Sequence, residues 1–200
     1  GLFLKGALHY IPHLNRTVNY NLLSEEVSSG FCIIEDKNDH VWYGGPSGLF
    51  LIDKKKINAR PEKVSPLRVF NLVQFNDSIL WAGTRKGSMF QINTRTLKVT
   101  SLPILPHTDL YVTYIYPDSH QRIWIGTDNN GLYVSDRNGS IIAFYSKEQL
   151  GSNAIKGIIE DEMSNIWVGT GNGLCCINPQ TKNIDRYTTA DGLPINQFNY

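Results

Sequence analysis

The sequence predicts an all-β protein built from four-stranded antiparallel β-propeller blades. We expect about four complete blades plus partial ones, as an incomplete, open portion of a larger propeller. One observation is a repeated phrase, "VWYGGPSGL", "LWAGTRKGS", "IWIGTDNNGL" and "IWVGTGNGL". Another is the spacing of its tryptophans, Trp42, Trp81, Trp124 and Trp167, which lie 39, 43 and 43 residues apart. A period of about 40 residues holding several short strands is typical of propeller blades.

Each blade is named here by its tryptophan, from the first (Trp42) to the fourth (Trp167). In the fourth blade, the apolar stretch Ala154–Glu162 predicts strand one, and the β-branched and aromatic stretch Ile166–Thr170 predicts strand two. Leu174–Pro179 and Asn183–Thr189 predict strands three and four, with turn residues between them. The other predicted strands are Phe31–Ile34, Val41–Gly44, Leu49–Asp53 and Val64–Phe70 in the first blade, Val69–Gln74, Ile79–Gly83, Met89–Asn93 and Leu97–Leu102 in the second, and Tyr111–Tyr116, Ile123–Gly126, Leu132–Ser135 and Ile141–Tyr145 in the third.

The repeats also predict the domain boundaries within a single propeller fragment, residues 1–200. Residues 1–23 are the end of a partial blade and a connection, residues 24–65, 66–107, 108–151 and 152–190 are blades, and residues 191–200 enter the next blade. The opening "GLFLKG" is similar to "GLFLID" at Gly48–Asp53, so we expect the chain to begin partway through a repeat. The open blade faces then need either further chain or self-association to cover them.

Composition and charge argue against several functional classes. The formal net charge is +1, from 19 basic and 18 acidic residues, which gives no electrostatic reason to expect nucleic acid or an anionic membrane as a partner. No apolar run reaches the roughly 18 residues that a bilayer-spanning helix needs. The cysteines Cys32, Cys175 and Cys176 make no disulfide framework, and no histidine pair stands near them at metal-ligand spacing. We expect no metal and no cofactor.

Residues that recur in every blade are interpreted as architecture. The tryptophan of strand two fills the space between neighbouring blades, and the glycine two residues later allows close packing. Asp36, Asp118 and Asp161 lie six residues before a tryptophan, and we interpret them as turn carboxylates that accept hydrogen bonds from backbone amides. The sequence shows no nucleophile elbow, phosphate loop or HExxH motif, so no enzyme is expected. A lyase-type propeller with a His and acid pair at the channel mouth stays open as an alternative.

Variable residues inside the constant turns predict a ligand-binding face. In a propeller, the loops from strand four to the next strand one share a face with the turns between strands two and three, and loops on a rigid scaffold carry function. Sugars are bound by planar polar side chains, charged donors and an aromatic platform, all of which these loops contain. The candidate ligand-binding residues are Arg85, Lys86, His107, Asp109, Tyr111, Asp128, Asn129, Asn130, Asn153 and Asn172.

The stretches "IEDKNDHVWYGGPSGLFLID", "YPDSHQRIWIGTDNNGLYVSD" and "IEDEMSNIWVGTGNGLCCINPQTKNIDRYTTADGLPINQFNY" resemble two-component regulator propeller repeats. The resemblance implies the periplasmic sensor region of a hybrid two-component system histidine kinase of Bacteroides-type bacteria. In that family the ligands are typically oligosaccharides, and the propellers precede a membrane helix and a kinase. The chain departs from the family in having about four blades instead of seven, and in Ser88, where the other repeats have leucine.

The functional expectation is therefore an extracytoplasmic sensor that binds oligosaccharides from polysaccharide breakdown and relays the signal to a histidine kinase. The open blade faces lead us to expect self-association of the receptor as a dimer, and the near-neutral charge predicts no nucleic-acid contact by these blades. The resemblance implies a membrane tether through other segments. The alternative is a protein–protein interaction or dimerisation scaffold without a small ligand of its own.

Overall fold

The computed structural model describes residues 7–11, 16–20, 30–56, 61–84, 87–102, 105 and 111–197. The chain divides into two compact units. One consists of Gly1–Thr84 with Gln91–Thr100, and the other of Arg85–Phe90 with Ser101–Tyr200.

Four four-stranded antiparallel sheets confirm the predicted blades, and in each sheet the strands follow one another in chain order. The strands are β1 (Ala7–Ile11) and β2 (Arg16–Tyr20) in a hairpin; β3 (Cys32–Glu35), β4 (His40–Gly45), β5 (Gly48–Asp53) and β6 (Glu62–Ser65) in the first blade; β7 (Val69–Asn76), β8 (Ile79–Thr84), β9 (Met89–Asn93) and β10 (Val99–Ser101) in the second; β11 (Val112–Pro117), β12 (Ile123–Thr127), β13 (Leu132–Ser135) and β14 (Ile141–Tyr145) in the third; and β15 (Ile155–Glu160), β16 (Ile166–Thr170), β17 (Gly173–Ile177) and β18 (Ile184–Tyr187) in the fourth. Helix α1 is the single turn Lys147–Leu150, and a 3-10 helix spans Thr189–Asp191. No helix in the described part of the chain has the length and apolarity needed to cross a membrane.

The prediction of Val64–Phe70 as one outer strand of the first blade was wrong. Strand β6 ends at Ser65, and Val69 already begins β7 of the second blade. Pro66 has no backbone N–H for a ladder, and the Ser65 hydroxyl accepts a hydrogen bond from the Leu67 backbone at 3.3 Å, so the chain turns here.

Packing between the third and fourth blades forms the apolar core of the second unit. Trp124 and Val134 of the third blade are buried against Ile158 and Val168 of the fourth. Trp124 is only 1% exposed, which confirms that the ring fills the space between neighbouring blades. Fully burying a side chain of this kind stabilises the fold by roughly 1.5–3 kcal/mol.

In the first and third blades, the glycine two residues after the tryptophan also does what the sequence predicts. A methyl group placed on Gly126 would lie 2.6 Å from Cγ2 of Ile155 in the fourth blade. In the other unit, a methyl group on Gly44 would lie 2.7 Å from Cγ1 of Val69, which begins the second blade. Glycine is needed at both positions because the first strand of the following blade packs onto the backbone, and at Gly44 also because Cys32 Sγ of the same blade would lie 2.6 Å from the added group.

Candidate functional site

In the third and fourth blades, the hairpin turns between strands two and three are built around a threonine. In the third blade the Thr127 hydroxyl donates to the Gly131 carbonyl at 2.8 Å and accepts from the Asn130 amide at 2.9 Å. In the fourth blade the Thr170 hydroxyl binds Gly173 and Asn172 in the same way, at 2.9 and 3.0 Å. The Gly-Thr pair that recurs in three of the four repeats is the sequence signal for this role.

The connection Gly151–Ala154 lies between these two turns and bonds to both of them. The Asn153 carbonyl accepts from the Gly131 amide at 2.8 Å, and the Ala154 carbonyl accepts from the Gly171 amide at 2.9 Å. The Asn172 side-chain amide approaches the Gly151 carbonyl at 3.5 Å. We call the turns Thr127–Gly131 and Thr170–Gly173, together with this connection, the turn face.

Six of the predicted ligand-binding residues lie on or beside the turn face. Tyr111 lies at its border, because its backbone amide donates to Oδ1 of Asp128 at 3.0 Å and its carbonyl accepts from the Asp128 amide at 3.1 Å. The structure thus brings Tyr111, Asp128, Asn129, Asn130, Asn153 and Asn172 to the same end of the two blades. The other four predicted residues, Arg85, Lys86, His107 and Asp109, lie outside the described residues.

The side chains of the six residues differ in whether structural hydrogen bonds or burial already occupy them. Asp128 Oδ1 holds the entry of the third blade, so this side chain has a structural role. The side chains of Asn129 and Asn172 are exposed, whereas those of Asn130 and Asn153 are half-buried. An amide side chain offers both donors and an acceptor, and sugar hydroxyls need both. Asn129 and Asn172 are therefore the positions from which a ligand is most directly reached.

Asn196 extends the same arrangement beyond the fourth blade. Its carbonyl accepts from the Gly173 amide at 2.7 Å, and its side-chain Oδ1 accepts from the Thr189 amide at 2.7 Å. The Asn196 carbonyl thus binds the turn of the fourth blade in the same way as the Asn153 carbonyl binds the turn of the third blade.

At the opposite end of the blades, the aspartates six residues before the tryptophans serve the fold. Oδ1 of Asp118 accepts from the His120 and Arg122 amides, both at 2.9 Å, which confirms the predicted turn role. Oδ2 also accepts from the Trp124 indole N–H at 2.8 Å and from Nε of Arg122 at 2.5 Å. The indole contact recurs from Trp42 to Asp36 and from Trp167 to Asp161, and it was not predicted from the sequence.

The electrostatics of the first and fourth blades agree with this role. Burial by itself would raise the pKa of Asp36, but hydrogen bonds from Trp42, His40 and Asn38 and the charge of His40 outweigh it and lower the pKa. The hydrogen bonds from Trp167 and Asn165 likewise lower the pKa of Asp161. These carboxylates are therefore held ionised as hydrogen-bond acceptors.

The cysteines are set in apolar surroundings. Burial raises the pKa of the Cys32 thiol to about 12 and that of the Cys175 thiol to about 11. A thiolate is the reactive form, so at neutral pH both side chains pack as small apolar groups. Within the described residues, no group of three or more His, Cys, Asp or Glu side chains is placed to bind a metal ion.

Sequence comparison points to bacterial signalling proteins. The family described as "Two component regulator propeller" matches residues 107–129, a stretch that ends in the turn at Asp128 and Asn129. Histidine kinase P4 of Formosa agariphila is 25% identical over an alignment of 250 residues, which covers 94% of this chain and 18% of that protein. The chain thus spans less than a fifth of the length of this curated relative.

Structure comparison finds the same architecture. The extracellular domain of the hybrid two component system BT3049 from B. thetaiotaomicron matches with a TM-score of 0.72 and 22% identity, over 96% of this chain and 26% of that chain. The extracellular domain of BT4673 from the same organism matches with a TM-score of 0.66 and 21% identity, over 92% of this chain and 23% of that chain. A chain of the Mitotic Checkpoint Complex also matches with a TM-score of 0.72, at 14% identity, over 90% of this chain and 57% of that chain. Because such different proteins match equally well, these scores show the fold alone. The chain therefore consists of propeller blades that carry a two component regulator propeller repeat and resemble the extracellular domains of hybrid two-component systems.

Proposed function

We propose that these blades are the extracytoplasmic sensor region of a hybrid two-component receptor whose other segments carry a histidine kinase. The observation that carries the proposal is the family match at residues 107–129, since it spans the first and second strands of the third blade and enters the turn face. We assign the kinase chemistry to the rest of the receptor and a binding role to this segment. The receptor is a dimer in the periplasm, tethered to the membrane through other segments and without nucleic-acid contact by these blades.

The ligand class that we propose is an oligosaccharide released from a polysaccharide. The turn face supports it by presenting the amide side chains of Asn129 and Asn172 on turns whose backbone hydrogen bonds are already formed. A site whose backbone is fixed before binding loses little conformational entropy when the ligand arrives. A signal follows only if the ligand binds one receptor arrangement more tightly than another.

A thermal melt of the purified protein against a panel of polysaccharide digests tests this function. Ligand at about a hundred times its dissociation constant raises the free energy of unfolding by roughly 2.7 kcal/mol, so one digest should raise the melting temperature. Asn129→Ala should weaken that shift and leave the melting temperature without ligand unchanged, because the Asn129 side chain is exposed.

The matched control is Asn138→Ala, an exposed asparagine in the turn between β13 and β14, at the other end of the third blade. It should respond to the digest as the unchanged protein does. Equal weakening by both substitutions would remove the turn face as the site. If no digest shifted the melting of a cooperatively unfolding protein, the scaffold without a small ligand would replace this proposal.

A further inference from the structure

The guanidinium of Arg186 reaches the turn face from the outer strand of the fourth blade. Arg186 lies on β18 opposite Cys175, and its exposed side chain extends over Gly151, the first residue of the connection between the third and fourth blades. A methyl group placed on Gly151 would overlap Nη2 of Arg186 and lie 2.7 Å from Cζ. The missing side chain of Gly151 thus leaves the space that the guanidinium occupies.

No acidic side chain pairs with this guanidinium in the part of the chain that the structure describes. Its charge acts instead on the thiol of Cys175, where burial raises the pKa and the Arg186 charge lowers it to a smaller extent. A thiol that stays protonated at neutral pH does not neutralise a cation. Arg186 therefore carries a full positive charge with no counter-charge among these residues.

The acidic residues on the elements around Arg186 are directed elsewhere. Asp185 is its neighbour on β18 and therefore points to the other side of the sheet. Glu148 of α1, the helix that lies against β18, accepts a hydrogen bond from the serine hydroxyl before the helix, and the cation that acts on it is Lys147. Asp191 accepts two hydrogen bonds from the threonine that caps the 3-10 helix.

The carbonyl groups at the end of α1 already have donors. A cation beside the C-terminus of a helix often binds these carbonyls. Here the Lys147 carbonyl accepts from the Gly151 amide at 2.7 Å, and the Leu150 carbonyl accepts from Sγ of Cys175 at 3.2 Å. Neither carbonyl is hydrogen-bonded to the guanidinium, so helix capping does not account for the position of Arg186.

Two further donors converge on the same connection. The exposed Asn172 side-chain amide approaches the Gly151 carbonyl at 3.5 Å. Ser152 Oγ accepts from the backbone amide two residues later at 3.1 Å and would lie 2.9 Å from a methyl group placed on Gly171. Its hydroxyl hydrogen is thus left to be donated. A guanidinium supported by neutral N–H and O–H donors is the chemistry that binds carboxylate and sulfate oxygens.

We propose that Arg186, Asn172 and Ser152 form an anion site on the turn face, which binds the carboxylate or sulfate group of an acidic oligosaccharide. The inference rests on the proposed function and narrows its ligand class from oligosaccharides in general to acidic ones. The planar guanidinium donates two parallel hydrogen bonds to two oxygens of the anionic group. A neutral sugar offers no charge to this group and gains less from the site.

Calorimetric titration of the purified chain with two acidic probes tests the proposal. One probe is a set of oligogalacturonates, with their methyl esters as the uncharged counterpart on the same sugar backbone. The other is a set of carrageenan oligosaccharides, with their desulfated form as counterpart, so the two probes distinguish a carboxylate from a sulfate. At least one acidic probe should bind about tenfold more tightly than its uncharged counterpart. The difference should shrink as the salt concentration rises.

Substitutions at the anion site and at a matched arginine locate the binding. Arg186→Gln should weaken binding of the acidic probe about tenfold and remove its advantage over the uncharged counterpart. Arg186→Lys should fall between the two, because it keeps the charge and loses the planar fork. Asn172→Ala should weaken binding about threefold. Arg137→Gln makes the same charge change at an exposed arginine between β13 and β14, at the other end of the third blade, and should leave binding unchanged.

Thermal melts verify that the variants retain the fold, and if Arg186→Gln melts early, Asn172→Ala decides in its place. The anion site is overturned if neither acidic probe is preferred over its counterpart, if Arg186→Gln binds like the unchanged chain, or if Arg137→Gln weakens binding equally. Binding of neutral oligosaccharides without preference for acidic ones would overturn the anion site and leave the sensor function standing. Binding of no oligosaccharide, acidic or neutral, would contradict the proposed function itself.

Discussion

The second and third blades bury tryptophans at equivalent positions of the repeat, Trp81 and Trp124, in different polar surroundings. In the third blade, the Trp124 indole N–H donates to Asp118 at 2.8 Å. In the second blade, Phe75 stands six residues before Trp81, and the two ring centroids are 6.2 Å apart. The Trp81 indole nitrogen is buried and has no hydrogen-bond partner.

The difference follows from the residue itself, because phenylalanine has no hydrogen-bond acceptor, and it is accompanied by a longer first strand. In the third blade β11 ends at Pro117, so Asp118 is free to turn its carboxylate back towards the indole. In the second blade β7 runs on to Asn76, with a register shift between Gln74 and Asn76. Phe75 is therefore part of the strand, at the point where the other blades place the carboxylate.

Both tryptophans are essentially inaccessible to solvent, Trp81 at 0% and Trp124 at 1%. Packing alone is thus enough to bury the ring. The aspartate provides a hydrogen-bond acceptor for the indole N–H and for the turn amides. A buried donor left without a partner costs about 1–3 kcal/mol. The second blade is expected to carry that cost at Trp81, and the following predictions test the difference.

Asp118→Ala should have the largest effect, because it leaves the Trp124 indole, the His120 and Arg122 amides and the Arg122 guanidinium without their acceptor. Breaking a buried pair from one side costs about 3–5 kcal/mol. Urea unfolding of the purified variant measures the loss. A loss below about 1 kcal/mol would mean that water replaces the carboxylate and that the blades do not differ energetically.

Replacing each tryptophan by phenylalanine sharpens the comparison. Trp124→Phe removes packing volume and also leaves Asp118 with one donor fewer, whereas Trp81→Phe removes an indole N–H that has no partner. We expect Trp124→Phe to lower the free energy of unfolding by about 1–3 kcal/mol more than Trp81→Phe. Equal losses in denaturant titrations would contradict the asymmetry.

Glycine substitutions compare a packed blade surface with an open one. Gly126→Ala should destabilise by about 1–3 kcal/mol, since the added methyl group would overlap Ile155. Gly157→Ala, in the first strand of the fourth blade, has no atom within 4 Å of the added group, and we expect a change within about 0.5 kcal/mol. Melting temperatures of the two variants provide the test, and similar shifts would show that the close approach at Gly126 is not tight.

The smallest effect concerns pH. The pKa of Asp36 is lowered from its ordinary value of 3.8, so its carboxylate stabilises the fold above that pH, and this contribution is lost as the pH falls through the lowered pKa. The difference in unfolding free energy between the unchanged chain and Asp36→Asn should therefore be largest well above pH 3.8 and narrow as the pH falls below it.

The second blade provides the control for this measurement. Phe75 does not titrate, so the difference between the unchanged chain and Phe75→Leu should stay nearly constant over the same range. Urea unfolding at each pH gives both values. A constant difference for Asp36→Asn would place the pKa of Asp36 at its unfolded value and contradict the proposed electrostatics.

Part of the candidate site could be predicted from the sequence, because loop positions in a propeller follow from strand order. Tyr111, Asp128 and Asn153 do meet at the turn face, as expected. The sequence did not reveal that Asp128 Oδ1 is already used by the Tyr111 amide, since a hydrogen bond across 17 residues depends on the backbone path. The same limit hid the bond between Trp124 and Asp118, although their spacing was noticed.

The sequence by itself determined the all-β class, the four blades and the glycine and tryptophan frame, because each depends on a local pattern repeated at a fixed period. Tertiary structure decided which polar groups are satisfied and which side chains remain exposed. No acceptor reaches the buried Trp81 indole where Phe75 stands in place of the aspartate, and Ile142 is exposed because the register shift between β13 and β14 makes it the extra residue of a bulge.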